Sequence, residues 1–128
     1  RVGTLPEPVS LRRFAMQVKD QLNLSAVKLV GDLTQPLKCV AVCGGTGMSL
    51  FSAAVRHGAD CFVTADIKFH EAQRARTAGV ALIDAGHFAT EQIMVAELSQ
   101  RLRKNFSTNN YKIEVIEMAA EEDPLVVF

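Results

Sequence analysis

The chain has 128 residues, 48% of them hydrophobic and 22% charged, and its 14 basic side chains balance 14 acidic ones. That length suits one domain able to bury a core unaided, and the cancelled charge argues against both a nucleic-acid polymer as partner and a disordered chain. Three Cys without a C-x-x-C pair form no disulfide framework, so a reducing, cytoplasmic compartment is expected.

The opening Arg1-Val2-Gly3-Thr4-Leu5 runs into Pro6-Glu7-Pro8 rather than an apolar core, so no signal peptide is read. A first residue other than Met predicts a longer natural chain. Ser10 suits an N-cap, with Leu11, Phe14, Val18 and Leu22 at helical spacing behind it. Residues 27–30 and 37–43 are apolar runs stopped by Gly31-Asp32 and Gly44-Gly45, and both predict strands. Within the second run Cys39 and Cys43 would stand roughly 13 Å apart, beyond bridging. The sequence then alternates: helix over 48–56, strand over 60–64, helix over 67–78 with Thr64 as its N-cap, strand over 80–83, helix over 90–104. In the last helix Ile93, Met94, Leu98 and Leu102 share one face. Residues 111–116 alternate apolar with charged and predict a half-exposed edge strand. The longest uncharged stretch, 39–55, is broken by Gly44, Gly45 and Gly47 and is no membrane span. Together these elements predict one α/β domain over 1–128, a mainly parallel or mixed sheet with helices on both faces.

In such a sheet, ligands collect beyond the carboxyl ends of the strands. Three loops there carry polar residues. The glycine loop, Gly44, Gly45, Thr46 and Gly47, offers bare backbone N–H groups to an anion or a close substrate. It lacks the Lys of a phosphate loop and the last Gly of a dinucleotide fingerprint, and taken alone it is better explained by a tight turn needing positive φ. His87 and Glu91, four apart at a helix start, share a face and suit a divalent zinc, manganese or iron ion, though two ligands are too few for a complete site. The bland alternative is a Glu answering the helix dipole beside a hydrogen-bonded His. Asp66 and His70 repeat this spacing at the neighbouring strand end, and capping explains them too. His57, followed by Gly58, reads as a helix C-terminus. Cys43 near a helix start invites a nucleophile role, but its apolar surroundings favour a small buried side chain.

Gly-Gly-Thr-Gly at 44–47, Gly-Ala-Asp at 58–60, Thr-Ala-Asp-Ile-Lys-Phe-His at 64–70 and Asp-Ala-Gly-His-Phe-Ala-Thr-Glu at 84–91 occur in an order that resembles the NGG-interacting-factor-three-like family, also known as the GTP cyclohydrolase type 1 type 2 homologues. The opening eleven residues and the closing Asp123-Pro124-Leu125 extend the resemblance over the whole chain, as the family's second half. The resemblance implies two α/β halves facing each other across a cleft with two divalent ions. His87 and Glu91 match the G-H-x-x-[TS]-E ligands of the second half, and the remaining ligands would come from a first half absent here. Asp66 and His70 would be a second shell or an acid/base pair, and Gly44, Gly45, Thr46, Gly47 and Thr64 would approach the substrate. Ala65 departs from the Gly usual in the family at that position.

Two functions follow as expectations. One is a metal-dependent, GTP cyclohydrolase-like hydrolase acting on a nucleotide or related anionic substrate, its two metals activating water. The other is a non-catalytic metal-holding scaffold that binds protein partners. The resemblance also implies a homo-oligomer, a hexameric ring, and predicts that these 128 residues alone hold metal weakly or not at all.

Overall fold

The computed structural model describes residues 1–118 and 120–126. Its elements are β1 (Val2–Ser10), α1 (Leu11–Gln21), β2 (Lys28–Val30), β3 (Pro36–Val42), a 3-10 turn (Met48–Leu50) leading into α2 (Phe51–Arg56), β4 (Cys61–Thr64), α3 (Phe69–Ala78), β5 (Ala81–Asp84) and α4 (His87–Thr108). The five strands form one mixed sheet in the order β1-β3-β4-β5-β2. The central β3, β4 and β5 are parallel, with Val40 beside Cys61 and Cys61 beside Ala81. β1 and β2 close the two edges antiparallel to β3 and β5.

Strand periodicity divides the core in two. Cys61, Val63, Ala81 and Ile83 point to one face, where Leu11 and Ala15 of α1 cover them. Phe62 and Leu82 point to the other, against Met48, Phe51, Ala54 and Ala75 from the 3-10 turn, α2 and α3. Helices therefore cover both faces, as the alternating sequence predicts. Ser10 caps α1, its hydroxyl accepting from the Arg13 N–H at 3.3 Å. His57 is the C-cap of α2 and Gly58 turns the chain away with φ of 73°, both at the strand ends opposite the polar loops.

Four expectations change. β1 went unread because Pro6 and Pro8 argue against a strand; at the sheet edge a missing N–H leaves no ladder bond unmade, and the register shifts between Thr4 and Val9. Residues 111–116 form no strand: the segment runs irregularly beside α4 instead of along the outer side of β1 or β2, and there Arg103 reaches the Val115 carbonyl at 3.0 Å and the Glu117 carboxylate at 2.6 Å. α3 starts at Phe69 rather than 67, and its N-cap is Lys68 rather than Thr64, because Asp66 occupies the left-handed region at φ of 56° and the helix cannot begin until the chain has turned. Glu71 accepts from the Lys68 N–H at 2.8 Å, closing that first turn. Finally, α4 is longer than 90–104, and its apolar face is not in the core: Ile93 and Met94 are 61% and 60% exposed, whereas Ser99 is buried.

Candidate metal centre

The parallel register brings three loops to one sheet edge, after β3, β4 and β5. Backbone hydrogen bonds step across them: Cys43 N–H to Val63 O, Ala65 N–H to Gly45 O and Ala85 N–H to Thr64 O, all within 3.0 Å. Thr64 stitches the glycine loop from beneath. Its buried hydroxyl donates to Gly45 O and accepts from the Gly47 N–H, both at 2.9 Å. Gly47 has to be glycine here, since a Cβ would collide with that hydroxyl. On the far side Thr90 Oγ1 accepts from the Gly45 N–H at 2.9 Å and donates back into the first turn of α4.

Asp84, at the end of an apolar strand, fixes the other two loops. Its carboxylate oxygens accept from the Ile67 and Gly86 N–H groups, each at 3.2 Å, so one buried side chain pins the turn behind Asp66 and the turn before His87. Gly86, with φ of 75°, is the N-cap of α4 and swings His87 over the sheet edge.

There His87 lies between two carboxylates. Its Nδ1 is 2.6 Å from Asp66 Oδ2 and its Nε2 is 3.2 Å from Glu91 Oε2. The helical spacing expected for His87 and Glu91 thus brings them together, both half-exposed. The Thr46 hydroxyl donates to the same Oδ2 of Asp66. Hydrogen bonds from Thr46 and His87 hold the Asp66 carboxyl below its ordinary value. The Asp66 bond, with the Glu91 charge beyond it, raises His87 above the ordinary imidazole value. Asp66 does not meet His70: the latter is exposed on α3 and makes no hydrogen bond or ion pair to it among the described residues. Thr64, expected near the substrate, is buried and acts on the loop instead. Cys43 is half-buried at the end of β3, its Sγ 3.5 Å from Gly44 O.

Gly45 completes the arrangement. With φ of 60° it turns its backbone against the pair, and a Cβ there would collide with Glu91 Oε1 and stand 3.1 Å from His87 Nε2. A neutral imidazole and a carboxylate converging on a cradle without a side chain suit a divalent ion. Among the described residues no three His, Cys, Asp or Glu side chains gather to hold an ion. Two cavities border this edge. One of about 410 Å³ joins His87 and Glu91 to Phe88, Met94, Glu121, Asp123 and Leu125. The other, about 340 Å³, joins Thr46 and Asp66 to Ser49, Ser52, Lys68 and Arg74. A larger space of about 620 Å³ between α3 and β2 includes neither His87 nor Glu91.

Sequence reading named His87, Glu91 and Asp66 but missed Thr90 and Asp84 as supports. A lone acidic residue ending an apolar strand, and a Thr three residues beyond the His, were the available signals. No helix among the described residues is long and apolar enough to cross a membrane.

A family model described as Duf34/NIF3 (NGG1p interacting factor 3) matches residues 1–124. The chain is similar to the GTP cyclohydrolase 1 type 2 homolog of Bacillus subtilis (strain 168), with 36% identity over 124 residues covering 97% of this chain and 33% of the relative. It is also similar to the protein of that name from Staphylococcus aureus (strain MSSA476), 39% identical over 116 residues, or 91% of this chain and 31% of the relative. The chain therefore spans about a third of the length of the curated relatives it matches. Among solved structures, Staphylococcus aureus protein SA1388 matches with a TM-score of 0.91 at 34% identity, covering 99% of this chain and 41% of that one. The Bacillus cereus protein related to NIF3 matches with a TM-score of 0.93 at 28% identity, covering 99% and 35%.

Proposed function

We propose, since this chain belongs to the Duf34/NIF3 family, that it supplies half of a dinuclear divalent-metal centre in a metal-dependent hydrolase, with His87 and Glu91 as its ligands. The observation that carries this reading is the approach of His87 Nε2 to Glu91 Oε2, 3.2 Å apart, over the bare backbone of Gly45. The other ligands would come from the part of the protein outside these residues, which the relatives' greater length supports. Zinc, manganese or iron fits the mixed nitrogen and oxygen donors. When bound, such ions lower the pKa of a coordinated water and polarise the scissile bond.

This chain's own residues would do the rest. The glycine loop, 44–47, lets a substrate come close without a side chain in the way, and Thr64 keeps that loop in shape from below. For an anionic substrate such as a nucleotide, Lys68 and Arg74 would be the cationic contacts on the cavity that shares Thr46 and Asp66, where Asp66 and Glu71 balance their charge. The curated relatives' name, GTP cyclohydrolase 1 type 2 homolog, points to the same substrate class. His70, exposed on α3, remains available to exchange protons with solvent. Free cysteines at 39, 43 and 61 support a cytoplasmic setting.

A protein of the relatives' full length containing this segment, supplied with manganese or zinc, should hydrolyse GTP or a related nucleotide, and His87→Ala should abolish turnover. Metal bound in stoichiometric amount, without turnover of any nucleotide, would leave the scaffold reading in its place. The exposed Ile93, Met94 and Leu98 on α4 favour some packed partner surface in either case, consistent with a homo-oligomeric ring.

A further inference from the structure

The geometry points to Asp66 as the positioning residue of this centre: it accepts a hydrogen bond from the Nδ1–H of His87, so that the neutral imidazole presents its Nε2 lone pair to the ion, and Thr46 holds Asp66 in that pose. The inference rests on the metal-binding reading of His87 and Glu91 and adds the group that makes His87 a ligand. An ionised carboxylate only accepts, so the short 2.6 Å contact assigns the ring hydrogen to Nδ1. That leaves Nε2 without a proton in the neutral ring, facing Glu91 Oε2. Two acceptors face to face draw a cation between them, a proton when the ring is charged and a metal ion when it is neutral. The second nitrogen of a ligating His is commonly tied to a carboxylate in this way, which fixes both tautomer and ring orientation.

Three features argue that the contact is built rather than incidental. Asp66 is a non-glycine residue at φ of 56°, a left-handed conformation that Asp and Asn tolerate best, and that turn aims its carboxylate along the sheet edge. Asp84 spans the adjoining residues, accepting from Ile67 N–H and Gly86 N–H, so the separation between the Asp66 and His87 turns is set from inside the fold. Thr46, from a third loop, donates to the very oxygen that faces His87. An exposed ion pair of this kind adds little to stability. Its removal should therefore show in the ligand, not in the fold.

Two measurements test this. Imidazole nitrogen shifts of this chain by NMR, at a pH where His87 is neutral, should report the Nδ1–H form in the unmutated protein. Asp66→Gly, which removes the acceptor but accepts the left-handed turn, should move His87 toward the Nε2–H form, and Thr46→Val should move it partly. In a protein of full family length, chelator competition should show zinc affinity falling about 10- to 100-fold in both Asp66→Gly and Asp66→Asn, with far-UV circular dichroism and the denaturation midpoint little changed. Zinc affinity and tautomer both unaltered in the two Asp66 variants would overturn the inference alone. Absence of zinc from the unmutated full-length protein would overturn the metal reading, and the inference with it.

Discussion

Replacing Gly45 with Ala separates backbone strain from crowding of the site. At φ of 60° an alanine pays roughly 1–2 kcal/mol for the left-handed conformation. A stiffer unfolded chain returns about 0.4–1 kcal/mol of that. The net loss is about 1 kcal/mol, or roughly 3–6 °C in melting temperature for a domain of this size. Gly58 provides the control, since it has φ of 73° but nothing within 4 Å of a new Cβ, so Gly58→Ala carries the strain alone. At Gly45 the methyl also collides with Glu91 Oε1, and a half-exposed carboxylate can swing away at little cost. Both variants should thus melt similarly early. Only Gly45→Ala should lower the His87 pKa, because the departing Glu91 is one of the groups that raise it. NMR titration of His87 in the two variants measures this directly. An unmoved His87 in Gly45→Ala, or an equal shift in Gly58→Ala, would refute the packing argument.

Stability should depend on pH through the Asp66–His87 pair. Asp66, lowered from 3.8, contributes stability that is present above that value and lost as pH falls through its folded pKa. His87, raised from 6.5, contributes stability that is full below 6.5 and lost as pH rises through its folded pKa. Because the pair is exposed, urea titrations should show only a small contribution, confined to between about pH 4 and 6.5, that Asp66→Asn removes without moving the midpoint far. Thr64→Val should cost about 1–3 kcal/mol in the same assay, because the buried Gly47 N–H loses its acceptor, while Thr64→Ser should restore it. Burial pushes the Cys61 thiol up to about 12, so iodoacetamide at pH 8 should spare Cys61 in the folded protein and label it after unfolding, as mass spectrometry would show.

Local signals predicted the local structure. Apolar runs, the first two closed by glycines, became β2 to β5, and periodicity from Leu11 onward became α1. The His87–Glu91 contact was readable for the same reason, since a separation of four residues on a helix is a neighbour relation fixed by the helix itself. Misreadings occurred where a residue's state depends on something distant. β1 exists because β3 offers it an edge across some thirty residues of chain, and 111–116 stays irregular, its contacts running to Arg103 of α4 rather than to a strand. Periodicity places Ile93, Met94 and Leu98 on one stripe of α4, but it does not say whether the fold buries that stripe, and here all three are exposed.

The amino-acid order alone determined the α/β class, the placing of polar loops at strand ends, and a His and a carboxylate one helical turn apart. Only the tertiary structure decided that Asp66 answers His87 rather than His70, that Thr64 lies under the glycine loop rather than in front of it, and that Asp84 ties the two turns together. The physical cause is that spacing along a helix is set by backbone geometry. Contacts between loops depend instead on strand register and on left-handed turns at Gly45, Asp66 and Gly86, which no single helix geometry fixes.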